Sequence, residues 1–515
     1  MSEKEYIVTL NRNVDYKAFD AEMIATTGAG AIPNRSAPVA NARPGSKRNT
    51  HYMLTDTEAA TLRNDPRVMG VEIPPQKRDD ISIAPRATQT GDFSKTTLDR
   101  GFFINWGLRR CNEATNPYTD DTVTGGYDYT LDGTGVDIVI HDTGIEADHP
   151  EWQDASGTSR LVELNWYDGF SGGGTMPTGH YTDYHGHGTH VGSTIAGKTY
   201  GWAKNSAIYA LKVDGLEGDT DPNGGISVTD CFDVIKEWHN SKPIDPATGA
   251  KRPTIVNMSW GYSAGWTTVS EVNYRGVSYT GTDIDTLGEV ANLGLIPVSD
   301  GVSYRAPVRI PSVDADVQEL IDAGVHVIVA AGNNFHKADV LGGTDYNNNA
   351  VTNGGTIYYH RGSSPFDDEA FIVGNVDSDV HVGGLEQKSQ SSTTGPAVNI
   401  YAPGTDIMAA VSNVNVFDDD GEYPDDDGYK IANISGTSMA APQVAGVLAL
   451  WCQLNPGATP AQALAYMNNI SQVDQLYETG SDNDYTDYRS LGGGNNRFLF
   501  NKFNSARQLR LGGGS

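Results

Sequence analysis

One stretch limits what this chain can become: Ser435-Gly436-Thr437-Ser438-Met439-Ala440-Ala441-Pro442, running on through Gln443 to Trp451. The run is apolar nearly all round, and a helix of that kind must be covered on every face. Ser438 falls in its first turn, where unpaired N–H groups and the positive helix end point outward and suit a developing oxyanion. Pro442 is expected within that first turn, where no intrahelical donor is lost. Alone, Gly-Thr-Ser reads more readily as the N-cap of a buried helix. Two other stretches supply what that reading lacks.

The first is Gly135-Val136-Asp137-Ile138-Val139-Ile140-His141-Asp142-Thr143-Gly144-Ile145. Its apolar, mostly β-branched run predicts a buried parallel strand. Asp142 then lies at the carboxyl end, where ligand chemistry collects in open α/β sheets. Gly133-Thr134-Gly135 precedes the strand instead of following it, which argues against a dinucleotide loop. The second is His185-Gly186-His187-Gly188-Thr189-His190-Val191-Gly192, opening a helix of small residues. Three histidines in six positions raise zinc, but there is no H-E-x-x-H pattern and the cysteines are scattered. A general base at a helix start, held by a carboxylate, accounts for the pattern better.

Together these stretches resemble the subtilase family of serine peptidases, the family of subtilisin and proteinase K, in which the order is Asp, His, Ser. The resemblance implies Asp142, His187 and Ser438 as the triad. It extends to Val325 through Ala330-Ala331-Gly332-Asn333-Asn334, implying Asn333 as oxyanion donor, and to Thr254 through Ser259-Trp260-Gly261, implying Ser259, Trp260 and Gly261 as the strand that pairs with substrate. The fold implied is α/β: a subtilisin-like three-layer fold with a mostly parallel central sheet, plus a small α+β N-terminal prodomain. The activity implied is that of a serine endopeptidase. His187 takes the proton of Ser438 as it attacks a peptide carbonyl, Asp142 fixes the imidazole, and the Asn333 amide with the Ser438 N–H receives the oxyanion. Trp260 suggests a hydrophobic or aromatic subsite.

The domains expected are a propeptide- or inhibitor-like unit at 1–80, a linker at 81–104, the peptidase domain at 105–474 with insertions at about 262–312 and 413–430, and a C-terminal tail at 475–515. Propeptide cleavage near Asp79-Asp80-Ile81 would put two carboxylates into a cleft, at a desolvation cost. With 36 Lys plus Arg against 65 Asp plus Glu, the net charge is −29, which disfavours nucleic acid and anionic membranes. No run of about 18 apolar residues predicts a membrane helix. Cys111, Cys231 and Cys452 are odd in number and far apart, unlike a disulfide framework. No cofactor is required for the chemistry. Structural calcium is an option: the resemblance implies it at Glu151, and the carboxylates and Gly turns of the acidic run Asp418-Asp419-Asp420 to Asp425-Asp426-Asp427 suit a hard cation; no metal ligand is assigned, and a run of acids is more often a solvated loop. The partners expected are a polypeptide substrate and the chain's own prodomain, with the tail as an arm for an assembly partner or disordered. The start, Met1 to Tyr6, lacks a secretory apolar core, so cytoplasmic synthesis with leaderless export or virion association is expected. The alternative function is a structural or assembly protein, such as a phage particle component, that keeps a peptidase fold and an uncut prodomain.

Overall fold

The computed structural model of the chain describes residues 3–26, 32, 35–41, 46–74, 87–95, 104–118, 122–177, 179, 181–216, 218–221, 224–298, 303–379, 383–417, 420–480 and 489–502. The expected cleavage region at 79–81, Asp418, Asp419 and the residues after 502 lie outside the described residues. The chain divides into two compact units, Met1–Ala84 and Pro85–Ser515.

The first unit runs β1 (Lys4–Leu10), α1 (Tyr16–Ile24), β2 (Val39–Asn41), β3 (Asn49–Leu54), α2 (Asp56–Leu62) and β4 (Val68–Glu72). Its antiparallel sheet has the order β2-β3-β1-β4. Apolar residues from the sheet and both helices, among them Tyr6, Val8, Phe19, Met23, Tyr52 and Leu62, form a core of its own. Asp15 caps α1, and Thr55 with Glu58 forms a capping box on α2, giving both short helices defined starts.

The second unit opens with β5 (Ala87–Ser94), β6 (Ile104–Asn105), α3 (Trp106–Arg110) and β7 (Thr122–Tyr129). Next come β8 (Asp137–Asp142), α4 (His187–Ala196), β9 (Ala207–Lys212), α5 (Val228–Ser241), a ribbon of β10 (Ile244–Asp245) with β11 (Ala250–Lys251), and β12 (Thr254–Met258). An insertion carries β13 (Ser263–Trp266), β14 (Val269–Tyr274), β15 (Val277–Thr280), α6 (Leu287–Asn292) and β16 (Tyr304–Pro307). After α7 (Pro311–Asp322) and β17 (His326–Ala330), β18 (Asn349–Thr352) and β19 (Gly355–Ile357) return to the insertion, where β14 pairs with β18 and a small core forms around Trp266, Val272 and Tyr359. The chain closes with β20 (Phe371–Val376), β21 (Ile400–Pro403), β22 (Ile407–Val411), β23 (Asp420–Tyr423), β24 (Asp426–Ile434), α8 (Thr437–Leu454), α9 (Pro460–Ile470), β25 (Gln472–Val473) and β26 (Arg497–Phe498).

The central sheet has the order β25-β26-β21-β20-β17-β12-β8-β9, and every neighbour pair is parallel except β25 with β26. Its middle strands are buried on both faces, which is why they read as continuous Val/Ile runs. Helix α8 packs on β12, β17, β20 and β21 and against α4; α5 and α7 pack on each other, with α7 on β17, so two helical layers enclose one sheet. The register aligns Asn257 with both Ile140 and Ile328, so the carboxyl ends of β8, β12 and β17 finish at one level.

Three regions differ from the sequence expectation. Within the expected linker 81–104, β5 pairs with β7 over its whole length, Phe93 is buried, and Lys95 is buried against Glu386. The acidic run is a β-hairpin rather than a loop: β23 pairs with β24, Tyr423 and Ile431 pack with Tyr200 and Ala409, and Glu422, Asp425, Asp426 and Asp427 stay exposed. The described residues of the expected tail 475–515 pack against the core instead of standing free: Arg497–Phe498 joins the sheet as β26, Leu476, Leu491, Phe498 and Leu499 are buried, and Leu499 N–H donates to the Tyr401 carbonyl at 2.8 Å. Among the described residues no helix is long and apolar enough to cross a membrane. All three cysteines are buried and free.

Candidate active site

The β-branched run of β8 ends at Asp142, which is only 1% exposed. Its Oδ1 accepts from the Thr143 N–H at 2.8 Å and from His187 Nδ1 at 2.7 Å. His187 can reach it because α4 starts with Gly186 in the left-handed region (φ 92°), and because Gly188 has no Cβ; one there would stand 2.2 Å from the Gly144 carbonyl. Burial pushes the His187 imidazole down; the charge of Asp142, their hydrogen bond and the charge of Asp183 pull it up, and the net direction is up. The other histidines go the opposite way. His190, whose Nε2 meets the Ile407 and Ala432 carbonyls, is taken by burial to about 3, and burial with the neighbouring His187 lowers His185. The three do not converge, and among the described residues no group of three His, Cys, Asp or Glu is placed to hold a metal.

Ser438 sits in the first turn of α8, beside the tip of β12. Its Oγ donates to the Ser259 carbonyl at 3.0 Å rather than to His187, and Ser259 Oγ donates back to the Ser438 carbonyl at 2.9 Å. The second bond corrects the expectation for Pro442. Pro442 is the sixth residue of α8, in the second turn, so the donor it lacks is the one that would serve the Ser438 carbonyl four residues back. The Ser259 hydroxyl replaces it, and Asn257 Nδ2 in turn donates to Ser259 Oγ at 2.8 Å.

Asn333 lies just beyond β17. Its Oδ1 accepts from the Thr437 N–H at 2.9 Å and Thr437 Oγ1 at 3.0 Å, while Thr437 Oγ1 accepts from the Gly332 N–H at 3.1 Å. With the carbonyl end pinned, the amide nitrogen is the end left to donate; a Cβ at Gly436 would stand 3.2 Å from it. Ser438, Asn333, Ser259, Trp260 and Gly261 all border one cavity of about 340 Å³. Its other walls include Ser263, Arg305, Asn334 and Ser363, a polar lining where Trp260 had suggested an apolar one. The Trp260 indole N–H is tied to the His141 carbonyl at 3.1 Å, with its ring edge-to-face against His141.

The two calcium candidates fare differently. Glu151 is fully buried and its carboxylate accepts from the Thr199 and Tyr200 N–H groups, Ser193 Oγ and the Tyr423 hydroxyl. Those donors fill the oxygens a cation needs, so this position does not fit calcium. In the hairpin, Asp420 pairs with Lys430 at 2.6 Å and Asp426 accepts from the Gly428 N–H at 3.1 Å, so these two acids have separate partners.

Sequence reading missed the groups behind these side chains: Asn257, Thr143 and Asp183. Asp183 carried a signal, an acid four residues before a histidine that opens a helix, but nothing in the sequence joins it to Thr143.

Comparison with known proteins adds kinship to this geometry. A family model described as the subtilase family matches residues 133–494. The chain is 27% identical over 415 residues to an extracellular serine proteinase of Thermus sp. (strain Rt41A), covering 81% of this chain and 68% of that protein. It is 27% identical over 426 residues to alkaline serine exoprotease A of Vibrio alginolyticus, covering 83% and 55%. A solved structure described as a cold-adapted subtilisin-like serine proteinase aligns at 23% identity with a TM-score of 0.45, over 77% of this chain and 98% of that one.

Proposed function

As the chain belongs to the subtilase family of serine peptidases, we propose that it is an endopeptidase that cleaves polypeptides with Ser438 as nucleophile, His187 as general base and Asp142 as the group that orients the imidazole. The observation that carries this reading is one pair of adjacent strand tips: His187 Nδ1 lies 2.7 Å from Asp142 Oδ1 at the first, and Ser438 Oγ lies 3.0 Å from the Ser259 carbonyl at the second. The hydroxyl leaves that carbonyl, turns to His187 Nε2 and gives up its proton as it attacks the scissile carbonyl. Asp142 keeps the tautomer and stabilises the imidazolium. The Asn333 Nδ2 and the Ser438 N–H then receive the negative oxygen. An extended substrate adds as a strand along Ser259-Trp260-Gly261. The walls of the neighbouring cavity favour a polar substrate side chain over an aromatic one.

Residues 1–80 act as a prodomain, an inhibitor made in cis. This is supported by their separate core and by their place ahead of the peptidase unit. The family needs no cofactor for the chemistry. Kinship with proteinases favours an enzyme over a structural particle component.

A fluorophosphonate probe tests the assignment. The full chain is expected to be labelled at Ser438, and Ser438→Ala to abolish both labelling and peptide hydrolysis. Labelling that survives the substitution excludes Ser438. N-terminal sequencing of the same preparation reports whether the prodomain has been removed.

A further inference from the structure

Asp183 is a buried carboxylate, 2% exposed, that the mechanism above does not use. It makes five hydrogen bonds, all as acceptor. Oδ1 accepts from the Gly186 N–H at 2.8 Å, Thr143 Oγ1 at 2.9 Å and the His185 N–H at 3.1 Å. Oδ2 accepts from Thr189 Oγ1 at 2.6 Å and the Thr189 N–H at 2.9 Å. The donors belong to two places. Residues 185, 186 and 189 flank His187 in sequence, whereas Thr143 directly follows Asp142. Thr143 ties the two more closely still: its own N–H donates to Asp142 Oδ1 at 2.8 Å, and its hydroxyl accepts from the Gly188 N–H at 2.9 Å.

We propose that Asp183 is the positioning residue of this site: its carboxylate locks the histidine turn onto the tip of β8 and so sets the His187–Asp142 geometry. The proposal rests on the assignment of His187 as general base. Asp183 is tied by N–H and O–H donors and by no cation among the described residues, so its negative charge stays next to the imidazole. The titratable groups facing His187 are Asp142 from β8, Asp183 and His185 from the turn before α4, and His190 one turn on. Burial holds His185 and His190 toward the neutral form, and Asp219 faces His185. On β9, Lys212 donates to the Thr143 carbonyl at 2.7 Å and is itself paired with Asp219 at 2.8 Å and Asp221 at 3.2 Å. The two carboxylates Asp142 and Asp183 therefore set the charge that the imidazolium feels.

The test compares the full chain with Asp183→Asn and Thr143→Val, following probe labelling and peptide hydrolysis as a function of pH. Asp183→Asn is expected to lower kcat/KM by about 10–100-fold, the size seen when an orienting partner is lost. It is also expected to move the acid limb of the profile to lower pH, because an anion that favours protonated His187 is gone. Thr143→Val cuts the bridge without changing charge, so it should slow the reaction and leave the limb in place. An Asp183→Asn enzyme within twofold of wild type, or a slower one with an unmoved acid limb, overturns the proposal. If Asp183→Asn does not fold, a folded Thr143→Val of undiminished kcat/KM overturns it as well. A wild-type chain that takes up no probe at Ser438 counts instead against the reading of the site as a serine peptidase.

Discussion

Around His187 the organising groups are charged: Asp142 and Asp183, both buried, gather the imidazole and the N–H groups of its turn. Around Ser438 they are neutral. The hydroxyl rests on a backbone carbonyl, Ser259 and Asn257 pass hydrogen bonds to the Ser438 carbonyl, and Thr437 fixes Asn333 through Oδ1. The proposed mechanism accounts for the division. It forms a cation, the imidazolium, on the histidine side, where carboxylates stabilise it. It forms an anion on the serine side, where a nearby carboxylate would oppose it and fixed dipoles serve better. Substitutions on the two sides should therefore differ in their pH dependence as well as in size.

After loss of the nucleophile itself, the largest effect expected on the serine side is that of Asn333→Leu, which removes the proposed side-chain oxyanion donor. The turnover number should fall by about 10²–10³ with little change in KM. The loss should be the same at every pH, since no titrating group changes. A loss that varies across the acid limb, as Asp183→Asn should produce, would break the contrast between the two sides. Ser259→Ala is expected to have a smaller effect. It leaves the carbonyl freed by Pro442 without its donor, at a cost of about 1–3 kcal/mol for an unsatisfied buried group. If part of that appears as a loosened nucleophile turn, kcat falls by roughly tenfold, again at every pH. Thermal melts alongside kcat and KM separate the stability part from the catalytic part, and an unchanged kcat would show that the clamp serves only the fold.

How much of this was legible follows from where the signals are local. The strand tip at Asp142 announced itself because a parallel core strand must be a continuous apolar run, and Asp142 is the polar residue that ends it; Ser259 and Asn333 were legible through the resemblance to the subtilase family. The first turn of α8 was legible because Gly436 precedes a run too apolar to be exposed. The structure's account of Pro442 was not, since its consequence depends on Ser259, 179 residues away in sequence from Ser438. The hairpin β23–β24 was hidden by its acids: its inward residues are mainly tyrosines, and their partner Tyr200 lies in another segment. The last strand, β26, is two residues long and carries too few positions for an alternation to register. Asp183 failed for the same reason as Pro442, because its role lies in Thr143, 40 residues away.

The contrast between the sides recurs on β8 itself, where a histidine and an aspartate are adjacent and only the aspartate is served. His141 is fully buried, its ring edge-to-face with Phe232 and Trp260, and neither ring nitrogen has a hydrogen-bond partner among the described residues. Burial takes it down to about 3, so the folded chain keeps it neutral while an unfolded chain protonates it near 6.5. The unfolded state then binds more protons below that value, and stability is lost as pH falls from about 6.5 toward 3. A phenylalanine fits the aromatic surroundings, has no nitrogen to leave unpaired and takes up no proton. His141→Phe, made on a Ser438→Ala background to prevent self-digestion, is therefore expected to melt no lower than its parent at pH 7.5. Its advantage should widen on acidification, by about 1.4 kcal/mol per pH unit below 6.5. Melting curves at pH 7.5 and 5.5 decide it. An advantage equal at both pH values would mean that His141 does not titrate between the folded and unfolded states, and that the acid sensitivity of the fold comes from other buried histidines, among them His190, His326, His336 and His360, each also taken by burial to about 3 or 4.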